Sequence, residues 1–497
     1  MTRQRNLVSS FISHAEGHPD DPALVWHGEG TTYRELRELA ERERARLVRL
    51  APGAEEPIGV LAAKSPAVIA LVLACLMEGR RFLLLSPLLT AETRDRLSEQ
   101  AGCSHVLTPL DPAAPPAGQG AQAGPHPPAE SDVSFMFTTS GSTGQPKVVP
   151  LSTGAVDRFT DWAGEHFGIR RGTTVLNYAP LNFDLCLLDV WTTLKNGGRV
   201  VLVDPARATD GRHLLDLVAD HDVRIVQAVP MFYQLLADAA ERRGLRLDAV
   251  EHAVFTGDSM PVRCLARLPG LFGRARLSNV YGCTETNDSF LHEVDRAEAL
   301  DRPVPIGRPL PGVHAVIVDA DGGILSGPGT GELHVRTPFQ TEGYLGGGGG
   351  AEKFVTHFDG ERERRYFRSG DLVRRDPDGR ITLEGRNDHQ VKVRGARVNT
   401  HEVEQVLLKH PEVVEAAVLP VPDPVAGRLL HGVVRRAPGS GLNTLRLRGH
   451  CAGLLPATAI PTTLLIVDDP LPRTSTGKIS RALVEKAHPP HGRTKER

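Results

Sequence analysis

The sequence predicts an α/β protein of two domains, and three observations carry that expectation. Helix-like periodic segments alternate with short Val/Leu/Ile runs along most of the chain. At 497 residues it is longer than one hydrophobic core usually serves. A polar turn at residues 385–395 separates two stretches of different pattern. Residues 33–50 read as an amphipathic helix, 58–62 as a strand, 66–77 as a helix and 199–203 as a strand. A helix at 213–220, a strand at 225–229 and a helix at 232–242 continue the alternation expected of largely parallel, buried strands. Residues 111–131 are rich in Pro, Ala and Gly and read as a surface linker, 346–350 as a second flexible point, and 488–497 as a polar tail. Strands at 331–336 and 380–384 precede the polar turn; a helix at 400–410, a strand at 413–420 and further α/β pattern follow it. The turn reads as a hinge, dividing the chain into domains 1–387 and 388–497.

Composition excludes several classes of function. A net charge of −2 leaves no polyanion footprint, and the basic run at 362–365 is mixed with acids as on a solvated face. Six scattered cysteines (Cys75, Cys103, Cys186, Cys264, Cys283, Cys451) have neither disulfide-framework nor zinc spacing. His292-Glu293 and His401-Glu402 begin like zinc helices, but Arg296 and Gln405 stand where the second histidine belongs. His14 and Glu16 interrupt any signal-peptide core, and the apolar window 67–77 is far short of the about 18 residues of a membrane span. A cytoplasmic protein is expected, with neither nucleic acid nor membrane as partner.

The most informative segment follows the apolar run 133–137: Thr138-Thr139-Ser140-Gly141-Ser142-Thr143-Gly144-Gln145-Pro146-Lys147. Gly141 and Gly144 let backbone approach an anion, the hydroxyls and N–H groups donate to phosphate oxygens, and Lys147 adds charge. The lysine does not close a Walker loop, so another nucleotide fold is needed. Further along stand Thr32-Tyr33-Arg34-Glu35-Leu36, Leu76-Met77-Glu78-Gly79 and Asn279-Val280-Tyr281-Gly282-Cys283-Thr284-Glu285. Then come Gly331-Glu332-Leu333, Gly343-Tyr344-Leu345, Ser369-Gly370-Asp371, the hinge segment and Thr474-Ser475-Thr476-Gly477-Lys478.

In this order the set resembles the acyl-adenylate-forming superfamily of acyl-CoA synthetases, luciferases and nonribosomal peptide synthetase adenylation domains. It is most similar to a stand-alone amino-acid adenylation enzyme. The resemblance implies a large N-terminal adenylate-forming domain of αβ-layered sheets plus a β-barrel-like subdomain, with a small mobile α+β C-terminal domain. It implies ATP and Mg²⁺ as cofactors. Thr139, Ser140, Gly141, Ser142, Thr143, Gly144 and Lys147 would cradle phosphate, and Tyr281 would face adenine. Asn279 and the backbone of Gly257-Asp258 would read the adenine edge, with Gly282 and Thr284 beside them. Asp371 would accept from ribose hydroxyls, Arg386 would lie near ribose or phosphate, and Glu285 would ligate Mg²⁺. Lys478 would sit between the substrate carboxylate and the α-phosphate, stabilising charge as oxygen attacks phosphorus.

Asn182-Phe183-Asp184 resembles the motif that presents an aspartate to the ammonium of an amino-acid substrate, α or β, and a carboxylate in an apolar stretch favours a cationic partner. Carried across, the acyl pocket comprises Asp184, Leu185, Leu188, Gln227, Val254, Thr256, Val280, Asp288 and Ser289. Asp288 is read as available to a second amine or hydroxyl. No carrier domain follows Lys486, so the expected acceptor is the phosphopantetheine thiol of a discrete acyl or peptidyl carrier protein. Asp388 and a tunnel glycine at Gly395 imply a second, thioester-forming conformation, although Asn399-Thr400 replaces the family's usual Glu-Pro. An acyl- or aryl-CoA ligase on the same fold is the alternative, and a non-catalytic nucleotide-binding regulator a third.

Overall fold

The structure is a computed structural model that describes residues 6–50, 56–111, 129–139, 146–296, 304–346, 350–358, 362–386, 390–472, 479 and 481–490. Of the expected features, phosphate-loop residues 140–145, Asp388, Lys478, most of the 111–131 linker, residues 347–349 and the last seven of the tail lie outside the described residues. Contacts divide the chain into a larger unit (Met1–Pro87, Asp95–Thr139, Lys147–Gly385) and a smaller one (Leu88–Arg94, Ser140–Pro146, Arg386–Arg497).

In chain order the strands of the larger unit are β1 (Pro22–Trp26), β2 (Glu29–Thr32), β3 (Ile58–Leu61), β4 (Phe82–Leu85), β5 (His105–Leu107), β6 (Val133–Thr139) and β7 (Lys147–Ser152). There follow β8 (Thr174–Asn177), β9 (Arg199–Leu202), β10 (Ile225–Ala228), β11 (His252–Thr256), β12 (Arg276–Cys283), β13 (Asn287–Glu293) and β14 (Arg308–Pro309). Then come β15 (His314–Val318), β16 (Gly329–Arg336), β17 (Phe354–Phe358), β18 (Glu363–Arg375) and β19 (Ile381–Arg386). One sheet runs β5-β3-β4-β6-β7, parallel except for β7. A nine-stranded sheet runs β14-β13-β12-β11-β10-β8-β9-β1-β2, parallel from β12 to β1 and antiparallel at both edges. The segment expected to be barrel-like is an antiparallel sheet, β15-β16-β18-β17, with β19 on β18.

Local chemistry sets the helices. Residues 33–50 form one helix, as the periodicity predicts, and it opens on a capping box: the Thr32 N–H donates to Glu35 Oε2 (2.7 Å) and the Glu35 N–H to Thr32 Oγ1 (3.2 Å). The helix Pro66–Met77 starts with proline after the Ser65 cap; apolar all round, it is buried from Val68 to Met77. One face of the nine-stranded sheet is covered by a core including Val175, Ile225, Val254 and Val280 together with Leu187, Leu188 and Trp191. The other face packs Leu176, Val226, Ala253 and Phe255 against the helices Gly211–Asp220 and Pro230–Arg243. Strands buried on both faces read as apolar runs, which is why 199–203 and 225–229 were legible.

In the smaller unit β20 (Gln390–Val393) and β21 (Ala396–Asn399) form a hairpin, and β22 (Val413–Asp423), β23 (Gly427–Arg436) and β24 (Thr463–Val467) a sheet. Arg394 (φ 51°) and Gly395 (φ 80°) make the two-residue hairpin turn, both in the left-handed region that such turns require. Asn399 caps the helix Thr400–Leu408, its side chain accepting from the N–H groups of His401 and Glu402. The family-atypical residue thus has a local task. Glu404, buried on that helix, accepts from the Val418 N–H (2.9 Å) and from Arg481 Nη2 (2.6 Å), tying helix, sheet and C-terminal helix together.

Buried Tyr233 donates its hydroxyl to the carbonyls of Val226 and Val254, both at 2.9 Å, clasping β10 to β11 from the covering helix. Tyr233→Phe should lower the unfolding free energy by about 1–2 kcal/mol. Urea denaturation measures it; an unchanged midpoint would show that the clasp contributes nothing.

Candidate active site

β6 and β7 pair in antiparallel register with Thr139 opposite Lys147, so the glycine-rich segment joins two adjacent strand ends. The Lys147 side chain is buried, and its ammonium lies 4.7 Å from the ring centroid of Tyr344. The Tyr344 hydroxyl donates to Glu285 Oε1 at 2.8 Å. One aromatic residue therefore links the lysine of the phosphate segment to the carboxylate expected to meet the metal, as a cation–π partner of the first and a donor to the second. Glu285, 1% exposed, stands with partly exposed Thr284 in the turn between β12 and β13. Three bonds brace that turn: Thr341 N–H to the Glu285 carbonyl (2.9 Å), Thr337 Oγ1 to the Thr286 carbonyl (2.7 Å), and Asn287 Nδ2 to the Phe339 carbonyl (2.9 Å). Gly282 is required here, because a Cβ would run into the Asn287 carbonyl oxygen.

Immediately before Gly282, Tyr281 is buried and donates its hydroxyl to Asp371 Oδ2 at 2.5 Å. Burial, and then the Asp371 carboxylate, hold the Tyr281 hydroxyl well above its ordinary pKa, so it stays a donor. Asp371 is fixed in turn by its own N–H, which donates to Ser369 Oγ (3.0 Å). Asn279 donates from Nδ2 to the Pro305 carbonyl (2.8 Å). Gly257 follows β11 with φ +81°, and Asp258 Oδ1 accepts from the Ser259 N–H (2.8 Å). The structure thus brings together Lys147 and Glu285 around Tyr344, pairs Thr139 with Lys147 across adjacent strands, and joins Tyr281 to Asp371. Arg386 belongs to the smaller unit, where its Nη2 donates to Gln390 Oε1 at 3.3 Å.

The acyl-pocket candidates fall on one face of the nine-stranded sheet. Parallel register sets Asn177, Gln227 and Val254 side by side, with Thr256 and Val280 two residues further along the same face. Opposite stands the π-helical segment Leu187–Thr192, a form common at functional sites, which carries Leu188 just after Asp184 and Leu185. Asp189 in that segment is fully buried; its Oδ2 accepts from Asn177 Nδ2 (3.2 Å), and burial raises its pKa well above the ordinary carboxylate range. Lys64, also buried, donates to the carbonyls of Asn177 (3.1 Å) and Tyr178 (3.0 Å); burial pushes it down to about 8, and the Asp189 charge partly restores it. Asp288 is partly exposed, and burial of its carboxyl, then the charge of Asp184, pushes it up to about 8. The Ser289 hydroxyl is engaged by its own turn, donating to the Asn287 carbonyl (3.1 Å) and lying 3.1 Å from Thr286 Oγ1.

Sequence reasoning missed Tyr344, Lys64, Asn177 and Asp189. Two of them left a signal: a lysine within the apolar stretch 58–77 and an acid five residues after Asp184 in another.

The family model of the AMP-binding enzymes matches residues 11–345, and that of the AMP-binding enzyme C-terminal domain matches residues 402–478. An L-proline--[L-prolyl-carrier protein] ligase of Pseudomonas fluorescens is 35% identical over 353 residues, 70% of this chain and 68% of the relative. Surfactin synthase subunit 1 of Bacillus subtilis is 30% identical over 510 residues, 96% of this chain but 14% of the relative, so the chain spans only a small part of that protein. Among solved structures, a holo NRPS protein containing adenylation and PCP domains superposes with TM-score 0.83 at 25% identity, covering 97% of this chain and 84% of the other. The amide bond synthetase McbA from Marinactinospora thermotolerans superposes with TM-score 0.85 at 24% identity, covering 97% and 99%, a likeness of fold alone.

Tyr344→Phe keeps the ring under Lys147 and removes the donor to Glu285, whereas Tyr344→Leu removes both. Each contact is worth about 1 kcal/mol, so ATP affinity in the presence of Mg²⁺ should fall roughly 5-fold in the first variant and roughly 25-fold in the second. Calorimetric titration separates them; parental affinity in both would remove Tyr344 from the site.

Proposed function

The chain belongs to the AMP-binding enzyme family, and from that premise we propose that it activates an amino acid as aminoacyl-AMP and passes it to the phosphopantetheine thiol of a carrier protein. The observation that carries this reading is the partly buried Asp184, which directly precedes Leu185 and the π-helical segment packed on the apolar cluster of Leu188, Val254 and Val280. A carboxylate at that place in the family's motif is suited to bind the ammonium of an amino acid.

In this reading ATP lies with its adenine on Tyr281, its edge toward Asn279 and Gly257-Asp258, its ribose at Asp371 and its phosphates in the 139–144 segment with Lys147. Arg386 assists near ribose or phosphate. A buried single carboxylate, Glu285, fits Mg²⁺, which keeps several waters and takes its other oxygens from phosphates; bound there, the ion would neutralise phosphate charge. The substrate carboxylate is already ionised at neutral pH, so no general base is needed. One of its oxygens attacks the α-phosphorus, the bond to the bridging oxygen breaks, and pyrophosphate leaves, with Lys478 stabilising the charge that develops. After rotation about Asp388, between domains 1–387 and 388–497, the carrier thiolate attacks the acyl carbon and AMP leaves with the electron pair. Six free thiols among the described residues support a reducing, cytoplasmic setting, and no described helix is long and apolar enough to cross a membrane.

ATP–pyrophosphate exchange across amino, aryl and fatty acids tests the reading: exchange with amino acids keeps it, exchange confined to the other acids replaces it with a CoA-ligase reading, and no exchange at all removes it. Lys478→Ala should slow adenylate formation about 10²- to 10³-fold while thioester formation from preformed adenylate changes far less. Equal losses in both half-reactions would refute that role. Asp388→Pro, by fixing φ near about −65°, should spare adenylation and suppress transfer to a carrier; transfer at the parental rate would show that the hinge lies elsewhere.

A further inference from the structure

The Lys147 ammonium, seated on the Tyr344 ring at 4.7 Å from its centroid, has a second neighbour in the backbone of Gly350. Gly350 is buried at φ +107°, where ring edge and ammonium meet: a Cβ there would stand 2.7 Å from the lysine nitrogen and 2.8 Å from Tyr344 Cδ2 and Cε2. Both distances lie inside van der Waals contact. Glycine is therefore required twice, for the backbone conformation and for the room that the ammonium fills.

The stretch around Gly350 is itself held in place. The Gly350 N–H donates to Glu352 Oε2 at 2.8 Å, and its carbonyl accepts from the Lys353 N–H at 3.0 Å, closing the 3₁₀ turn Ala351–Lys353. That turn leads into β17, whose first residue, Phe354, packs against Tyr344 with ring centroids 5.8 Å apart and planes at 70°. Phe354 is fixed in turn by Phe367, its register partner on β18 at 5.3 Å between centroids, and by the Arg365 guanidinium 4.7 Å from its ring centroid. On the other side of Tyr344, the Leu345 N–H donates to the Val148 carbonyl (3.1 Å), anchoring the tyrosine beside β7 next to Lys147.

We propose that Gly350 and Phe354 are positioning residues for the lysine of the phosphate segment: Gly350 leaves the space its ammonium occupies, and Phe354 sets the Tyr344 ring on which it rests. The inference rests on the adenylation reading and goes beyond it by giving two residues outside the recognised motifs a part in ATP affinity. A lysine seated before phosphate arrives has less conformational freedom to lose on binding it, which is what such a seat contributes.

The test is calorimetric titration of ATP with Mg²⁺ into the full chain and its variants, alongside thermal unfolding and the KM of the activated acid in pyrophosphate exchange. In Gly350→Ala the ammonium, the free end of a flexible chain, gives way, and ATP affinity should fall about 10-fold, the order of one charged contact, while KM for the acid changes little. In a Lys147→Ala background the same substitution should cost no further ATP affinity, although the strained backbone lowers thermal stability in both. Phe354→Leu should weaken ATP binding roughly 5-fold, and no further once Tyr344→Leu has removed the ring it supports. Parental affinity in Gly350→Ala, or an equal loss with and without Lys147, overturns the role of Gly350. Parental affinity in Phe354→Leu, or an equal loss with and without the tyrosine, overturns that of Phe354. Either result leaves the adenylation reading standing, whereas a parent that binds no ATP overturns both. Should Gly350→Ala fail to fold, the Phe354 and Tyr344 variants decide whether this stretch positions the lysine.

Discussion

Six parallel strands covered on both faces leave chemistry only one place to gather, the ends of the strands, and the site depends on that constraint. On one face Val175, Ile225, Val254 and Val280 are locked into a dry core, and on the other Val226, Ala253 and Phe255 are too. Polar residues therefore collect where these rows run out: Asn177 and Gln227 near the ends of β8 and β10, Thr256 and Gly257 at the end of β11, Tyr281 to Glu285 at the end of β12. Lys64 ties this edge together. Its ammonium satisfies two carbonyls at the end of β8, those of Asn177 and Tyr178. Breaking one member of such a buried set strands the other, which costs more than the contact itself is worth.

Much of the scaffold was legible because it is decided locally. The helix Tyr33–Leu50 announces itself by a capping box and a period of 3.6, and Pro66–Met77 by a capped proline start and unbroken apolarity. Strands buried on both faces are short Val/Leu/Ile runs whatever surrounds them. The pairing order was not legible: nothing in residues 199–202 says that β9 lies between β8 and β1, since that follows from which crossovers pack.

The site was legible where glycine and hydroxyl chemistry is concentrated in one segment and illegible where it is assembled from distant ones. Tyr344 is 59 residues from the carboxylate it binds and nearly two hundred from the lysine over its ring, so its motif, Gly343-Tyr344-Leu345, marks the residue but neither contact. The same holds for Tyr281 and Asp371, 90 residues apart, each readable singly and their hydrogen bond not. Asn399 shows the opposite case. Against the family pattern it is a departure, and the structure adds its local task as a helix cap satisfying two N–H groups. Ser289 is a milder case: its position is on the pocket wall, but its hydroxyl is taken by its own turn.

Family membership and pocket chemistry answer different questions, and the physics of this site keeps them apart. Charge neutralisation at a transferring phosphoryl group is the same task whatever acid is activated, so the residues around Lys147, Tyr344, Glu285, Tyr281 and Asp371 carry no information about the side chain. That information lies in the wall formed by Gln227, Asp288 and the π-helical segment, where each polar atom must be matched by the occupant or stay desolvated. On the proposed reading the acids of that wall, Asp184 and Asp288, offer nothing to an apolar side chain. Similarity over the rest of the chain reports the shared reaction, whereas the choice of acid would be made by the side chains of this wall.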